Sequence, residues 1–256
     1  MKNKYCVPKE IIFNDTLESI PNVYELERLG AGHDGMVFRY NDKALKILKY
    51  DINLRKERKL MTFEKALYFK NNLNLKRIEK PRDILLDSDG VYTGYVMNFL
   101  DDITLDSKKG SPIYKQVGDF SCGDLIYVAS ELEEDFNELT KNRVLAKDIN
   151  RGSYIFPADF LHLCDMDKYD ILSNKSLGAE DLNKRALHFT IAKLLYYEMQ
   201  KTGNFDKLEL KQLSNWVKKC SNSRTFLHEL DMEARASDYS CPIGEFSKQK
   251  VKKIIS

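Results

Sequence analysis

The chain has 256 residues, 43% of them hydrophobic, with 41 Lys and Arg against 39 Asp and Glu for a formal net charge of +2. That is enough apolar material for one large or two small cores, and the near-neutral balance argues against a dedicated nucleic-acid binder. The five cysteines (Cys6, Cys122, Cys164, Cys220, Cys241) form no CxxC pair, so neither a zinc site nor a disulfide framework is indicated; no apolar run is long enough to span a bilayer, and MKNKYCVPKEIIFND lacks the apolar stretch of a secretory leader, which makes a reducing cytoplasm the expected compartment.

In chain order, YELERLG (24–30) reads as a strand leading into glycines. MVFRY (36–40) and ALKIL (44–48) alternate around Asn41-Asp42-Lys43 and predict a tight hairpin. From about Leu54 to Asn72 the spacing predicts a helix, with Leu60, Met61, Leu67 and Tyr68 on one face. DILLD (83–87), the turn Ser88-Asp89-Gly90 and VYTGYVMNFL (91–100) read as a second hairpin. Beyond it the pattern turns helical. Gly123–Thr140 carries Leu125, Val128, Ala129, Leu132, Phe136 and Leu139 at helical spacing. SYIF (153–156) and FLHLC (160–164) form a short β-like pair. Leu182–Met199, Leu208–Lys219 and Thr225–Arg235 predict three more helices, with Trp216 (beside Leu213 and Val217) as a packing residue. The basic tail from Lys248 to Lys253 reads as a solvated, frayed end. A strand-rich part over 1–100 and a helical part over 101–256 predict an α+β chain in two lobes.

The chemistry begins at Leu29-Gly30-Ala31-Gly32-His33-Asp34-Gly35-Met36-Val37, a GxGxxGxV pattern, with Lys46 downstream in KALKIL. Glycines at this spacing let backbone amides approach phosphate, and a lysine adds positive charge. In a dinucleotide-binding fold the glycines open a helix; here a hairpin pattern follows. No Lys-Ser or Lys-Thr follows at the Walker spacing. A glycine-rich flap between two strands remains. His33 lies in the flap and reads as a solvent-facing turn residue, with contact to phosphate as the alternative.

Gly30, Gly32, Gly35, Val37 and Lys46 resemble the glycine-rich loop and strand-3 lysine of the protein-kinase-like superfamily, with KALKIL similar to its VAIK segment. The resemblance covers roughly residues 24–200 and implies a bilobal fold. It implies that Lys46 holds nucleotide phosphates and pairs with a helix glutamate. Glu64, set among Leu60, Met61, Leu67 and Tyr68, is the expected partner because an inward carboxylate needs a cation; Glu57, one heptad earlier, ranks second. LAKDINRGSYIF (145–156) resembles the family's catalytic loop. Asp148 takes the position of the base that orients an acceptor hydroxyl, with Ala146 and Lys147 in place of the preceding histidine and arginine. Ser153 stands at the metal-binding asparagine, with Asn150 nearby as a substitute. Asp165-Met166-Asp167 is similar to the DFG triplet, which makes Asp165 a ligand for Mg²⁺ (or Mn²⁺) on ATP, with Met166 in the phenylalanine's packing role and Asp167 as an added metal carboxylate. Backbone groups of Asn98 and Leu100, in the Met97–Leu100 hinge, would bind adenine.

The segment after Asp167 is short and lacks an APE-like motif, so the acceptor is open between a protein and a small molecule. Three readings stand on the sequence. One is an ATP-dependent phosphotransferase acting on a hydroxyl. Another is a pseudokinase serving as a nucleotide-binding or interaction module. The third is a kinase-fold enzyme using ATP for nucleotidyl transfer. His162 reads as a structural residue, and Cys164, directly before Asp165, reads either as a buried, inert thiol or as one accessible from the nucleotide pocket.

Overall fold

A computed structural model of the chain describes residues 7–32, 34–49, 60–100, 117–157, 159–173, 178–201 and 203–256. It is α+β and divides into two compact units. The first comprises the chain through Leu75, Glu79–Asp101 and Asp165–Ile171; the second comprises Lys76–Ile78, Asp102–Cys164 and Leu172–Ser256.

The first unit is built on a seven-stranded sheet. Its strands are β1 (Ile11–Phe13), β2 (Ser19–Ile20), β3 (Glu27–Ala31), β4 (Gly35–Tyr40), β5 (Lys43–Leu48), β6 (Asp83–Leu86) and β7 (Tyr92–Asn98). The spatial order is β2-β1-β6-β7-β5-β4-β3, and every neighbouring pair is antiparallel. Both predicted hairpins form. In the first, Tyr40 pairs with Lys43 around a two-residue loop, and Asn41 takes the left-handed conformation (φ 54°) that such a loop favours. In the second, Gly90 supplies the positive φ of 74°. The segment read as a strand from Tyr24 instead begins with a 3-10 turn, Val23–Glu25, and β3 follows it. β1 and β2, unanticipated, extend the sheet at its β6 edge.

β5 lies between β4 and β7 and is buried from Ala44 to Leu48. Its alternation divides two faces. Leu45 and Ile47 join Ile11, Phe13, Ile20, Val23, Phe38, Leu85 and Val96 in one core. Lys46 points to the other face, in register with Val37 on β4 and Tyr95 on β7.

Among the described residues of this unit, the α-helix α1 spans Phe63–Asn72 and starts at the N-cap Thr62, whose hydroxyl accepts the Lys65 N–H at 3.3 Å. The predicted helix began near Leu54; residues 50–59, Glu57 among them, lie outside the described residues, as does His33. Leu60 and Met61 are buried but precede the N-cap. The helical phase of α1 is therefore set from Phe63, and its buried positions are Lys65, Ala66 and Phe69.

The second unit is mainly helical: α2 (Cys122–Lys141), α3 (Ala179–Lys201), α4 (Lys207–Asn222), α5 (Phe226–Ala236) and α6 (Ile243–Ile255). Capping boxes start α2 (Ser121 with Asp124) and α4 (Asp206 with Glu209). α2 buries Leu125, Val128, Ala129, Leu132, Phe136 and Leu139, the stripe its spacing predicts. Tyr154–Ile155 and His162–Leu163 pair antiparallel as the short β-like pair. The basic tail corrects the sequence reading. It is helical in α6, which buries Ile243, Phe246 and Ser247, while Lys248 pairs with Glu245 and Lys250 with Glu233. Lys248, Lys252 and Lys253 ride the exposed face of an amphipathic helix, and Lys250 packs inward over Trp216 and Phe246, rather than forming a frayed end. Trp216 packs edge-on to Phe226.

Two polar contacts hold the second unit's short segments. Asp135, buried on α2, accepts the backbone N–H groups of Lys76, Arg77 and Ile78 at 2.8, 2.7 and 2.9 Å. Asn183, buried on α3, accepts the Ala146 N–H at 3.0 Å and donates to Val144 O and Thr140 Oγ1 at 2.8 and 2.9 Å.

Candidate functional site

The first unit gathers four polar side chains on the Lys46 face of its sheet. Lys46 and Tyr95 stand directly opposite each other on β5 and β7, so their side chains share that face. The strands approach closely here. A Cβ added to Gly94 would stand 2.1 Å from the Lys46 carbonyl oxygen, and one added to Gly35 would stand 2.8 Å from that of Ile47. These glycines serve the sheet's own packing. A Cβ added to Gly30 or Gly32 would meet nothing within 4 Å, which leaves the flap's outer glycines facing open space. The flap is closed by the Gly32 N–H, which donates to Gly35 O at 3.0 Å. Lys49 Nζ donates to Gly32 O at 2.7 Å.

Asp165 and Asp167 flank Met166, which is buried, in the turn Met166–Lys168. Lys46 Nζ lies 2.5 Å from Asp165 Oδ1 and 2.7 Å from Asp167 Oδ2. Tyr95 donates its hydroxyl to Asp167 Oδ1 at 2.7 Å. Lys65, from α1, donates Nζ to the Asp167 carbonyl at 2.6 Å. The two carboxylates differ in environment: the Asp165 side chain is 45% exposed and that of Asp167 only 4%. Asp165 also holds a left-handed backbone, φ 72° and ψ 64°, a conformation that aspartate tolerates better than most residues.

The electrostatics follow from that arrangement. Burial pulls the Lys46 ammonium down, but Asp167 and Asp165 outweigh it and the group ends raised. Burial pushes the Asp165 carboxyl up, yet Lys46 and the Asp167 N–H bring it below its ordinary value. Burial, with Asp165 adding repulsion, leaves the Asp167 carboxyl raised in spite of Lys46. Burial and the same two carboxylates lift the Tyr95 phenol well above its usual range. Near neutral pH the face therefore holds a fixed ammonium, an ionised and accessible Asp165, and a protonated Tyr95.

Two assignments change. Glu64 is exposed, in the first turn of α1. The anions on Lys46 are Asp165 and Asp167, and the buried position next to Glu64 belongs to Lys65. The N-cap at Thr62 explains the difference, because Leu60 and Met61 precede the helix and are not helical neighbours of Glu64. Asp167, expected as an extra metal ligand, is enclosed between Lys46 and Tyr95 and takes the lysine-anchoring part expected of Glu64. Tyr95 and Lys65 were missed. The alternation of VYTGYVMN could have placed Tyr95 across from Lys46, but no short motif marks it.

Val37 is half-buried on β4, directly opposite Lys46. Asn98 is exposed at the end of β7 and Leu100 is half-buried just beyond it. In the second unit, Asp148 is exposed with a left-handed backbone (φ 59°), in the loop that Asn183 holds at Ala146. Asn150 uses its side chain within that loop, donating to Asp148 O at 3.1 Å and accepting the Gly152 N–H at 2.9 Å. Ser153 is 2% exposed, and its hydroxyl accepts the Asn150 N–H at 3.2 Å. His162 is buried, with Nε2 3.1 Å from Asp159 Oδ2, and is structural. Cys164 is half-buried.

The donor chemistry of the Lys46 face suits a polyphosphate with a hard cation. Mg²⁺ is commonly held by one or two carboxylates plus phosphate oxygens, and Asp165 is an accessible carboxylate beside a fixed ammonium. Among the described residues, no group of three or more His, Cys, Asp or Glu could hold a metal ion, so a cation here would draw other ligands from the phosphates and water. Among the same residues, no helix is long and apolar enough to cross a membrane. Neither a family model nor a curated protein matches the chain.

Proposed function

We propose that the protein is a kinase-like phosphotransferase, a bilobal enzyme that uses Mg²⁺·ATP to phosphorylate a hydroxyl on a protein or a small molecule. The observation that carries this reading is the ion pair between Lys46 and Asp165, 119 residues apart in sequence. These are the residues that motif order assigns to phosphate and metal binding. Bound ATP with its cation would supply the transferable γ-phosphoryl group. Lys46 would neutralise phosphate charge while Asp167, donated to by Tyr95, holds the ammonium in place. Asp165, kept ionised by Lys46, would ligate the cation. Gly30 and Gly32 leave room for backbone approach to phosphate, Asn98 and Leu100 would meet adenine, and Asp148 would orient the acceptor hydroxyl. Phosphoryl transfer depends on such positioning and charge neutralisation more than on covalent chemistry.

A second reading, a nucleotide-binding pseudokinase, draws support from the oxygens at the proposed metal position. Asp167 and Ser153 are buried, and Asn150 is held within its own loop. One experiment separates the readings. Purified protein is incubated with Mg²⁺ and γ-labelled or α-labelled ATP, alongside Lys46→Ala, Asp148→Ala and Asp165→Ala. Transfer of the γ label, lost in all three variants, supports the phosphotransferase. An ATP-dependent thermal shift without transfer supports the pseudokinase. Transfer of the α label selects nucleotidyl transfer, and the absence of any thermal shift with Mg²⁺ or Mn²⁺ overturns every nucleotide-binding reading.

A further inference from the structure

Cys122 is the first residue of α2, and Cys241 directly precedes Pro242, the N-cap of α6. The two segments run antiparallel. Ser121 and Pro242 form a β-bridge, flanked by Cys122 N–H donating to Cys241 O at 2.8 Å and Ile243 N–H donating to Phe120 O at 2.7 Å. Cys122 and Cys241 therefore adjoin the bridge on opposite segments and are joined by a single backbone hydrogen bond, the Cys241 N–H donating instead to Asp238 O at 2.9 Å. A backbone N–H···O bond of that length brings the two Cα atoms within reach of the disulfide range of about 4.4–6.8 Å. The side chains also lie close enough for the Cys241 thiol to add to the rise of the Cys122 thiol, while Cys241 Sγ donates to Pro242 O at 3.6 Å. The backbones already lie close, since a Cβ on Gly244 would stand 3.2 Å from Gly118 O and one on Gly123 would stand 3.4 Å from Tyr239 O. Both cysteines are reduced; Cys122 is buried and Cys241 is partly exposed.

We propose that Cys122 and Cys241 form a redox-modification site, a dithiol that a low-molecular-weight disulfide such as oxidised glutathione closes into a Cys122–Cys241 bond tying the start of α2 to the start of α6. The exposed partner reacts first. The Cys241 thiolate attacks one sulfur of oxidised glutathione, its S–S bond breaks, and one glutathione thiolate leaves. Cys122 then loses its proton and attacks Cys241 Sγ in the mixed disulfide, releasing the second glutathione. Two protein thiols are oxidised by two electrons, and one glutathione disulfide is reduced to two thiols. Burial pushes the Cys122 thiol up to about 12, which makes closure the slow step and Cys241 the point of entry.

The test equilibrates the full chain in native glutathione buffers of graded ratio, followed by acid quench, alkylation, digestion and mass spectrometry. The expected result is a cross-linked peptide pair joining Cys122 to Cys241, ~2 Da lighter than the reduced pair. It forms and reverses with a two-electron dependence. The oxidised protein should also melt at least about 4 °C higher than the reduced one, because the bond closes a loop running from α2 through α5. Cys241→Ser, a partly exposed and near-isosteric change, should keep the reduced protein's melting temperature and lose both effects. The proposal is overturned if Cys241 stops at the glutathione adduct, if the link forms only in denaturant, or if Cys122 pairs equally with Cys164 or Cys220.

Discussion

Lys46 is a buried ammonium whose charge is tolerated because two carboxylates stand within 2.7 Å of it. Removing one member of a buried pair leaves the rest uncompensated, at a cost of about 3–5 kcal/mol. Lys46→Met should lower stability by about 3 kcal/mol in urea titration, whereas Asp165→Asn, at a half-exposed carboxylate, should cost under about 1 kcal/mol. Equal losses would contradict the division of labour between the two aspartates. A separate residue gives a pH signature. His188 is buried, and its Nδ1–H donates to Ser223 O at 2.9 Å; burial lowers its pKa below 6.5. The unfolded chain therefore takes up a proton more readily than the native one as pH falls through 6.5, so the stability contributed by neutral His188 is present at higher pH and lost on acidification. Urea midpoints between about pH 7.5 and pH 5.5 should fall by more in the wild type than in His188→Gln, with a slope of at most about 1.4 kcal/mol per pH unit. At this scale Lys46 and Asp165 were readable because charge recurs in an ordered set of short motifs. Tyr95 and Lys65 were not, because a hydroxyl or an ammonium entering a buried network leaves no pattern in its own neighbours.

Within the elements, the glycines separate into two kinds that their sequence spacing treats alike. Gly35 belongs to the motif, yet an added Cβ would meet the Ile47 carbonyl oxygen. Gly94 lies outside the motif and is the more constrained, at 2.1 Å from Lys46 O. Gly94→Ala should destabilise by at least about 3 kcal/mol, since the obstructing atom is backbone in a central strand. Gly32→Ala should change stability by less than about 1 kcal/mol while weakening any binding of Mg²⁺·ATP. Thermal melts with and without nucleotide would read both effects. Asn183→Ala should strand the Val144 carbonyl and the Ala146 N–H and cost about 2–3 kcal/mol. Hydrogen exchange at Ala146 should rise in the variant. Hairpins and long helices were legible because periodicity and turn residues are local signals. The start of α1 was not, since Thr62 breaks an apolar stripe that reads as continuous, and α6 was obscured by lysines on its exposed face.

Over the whole molecule, the α+β character and the change from strands to helices near residue 100 follow from the order of the patterns. The two crossings do not. Lys76–Ile78 joins the second unit and Asp165–Ile171 joins the first; each is too short to carry a periodicity, and its membership is decided by hydrogen bonds to distant residues. A fragment spanning 1–100 would lack Asp165 and Asp167, and with them the buried side chains of Met166 and Tyr169. It should show no cooperative urea transition by circular dichroism, and a fragment spanning 102–256, which leaves Asp135 without its three backbone donors, should be less stable than the second unit within the full chain. A cooperative transition in the first fragment would mean that Lys46 does not need its carboxylates to be buried.

That crossing also orders events in time. A ribosome delivers Lys46 119 residues before Asp165, and Tyr95 72 residues before Asp167. Until the later segment emerges, the nascent sheet must either keep β5 near water or enclose a lone cation, and the second course is costly. The sheet's completion is thereby deferred until α2 has been translated, ahead of α3 to α6. A chain terminated prematurely, before residue 165, would then carry an uncompensated ammonium at the centre of its sheet, a built-in mark by which an incomplete product differs from a finished one.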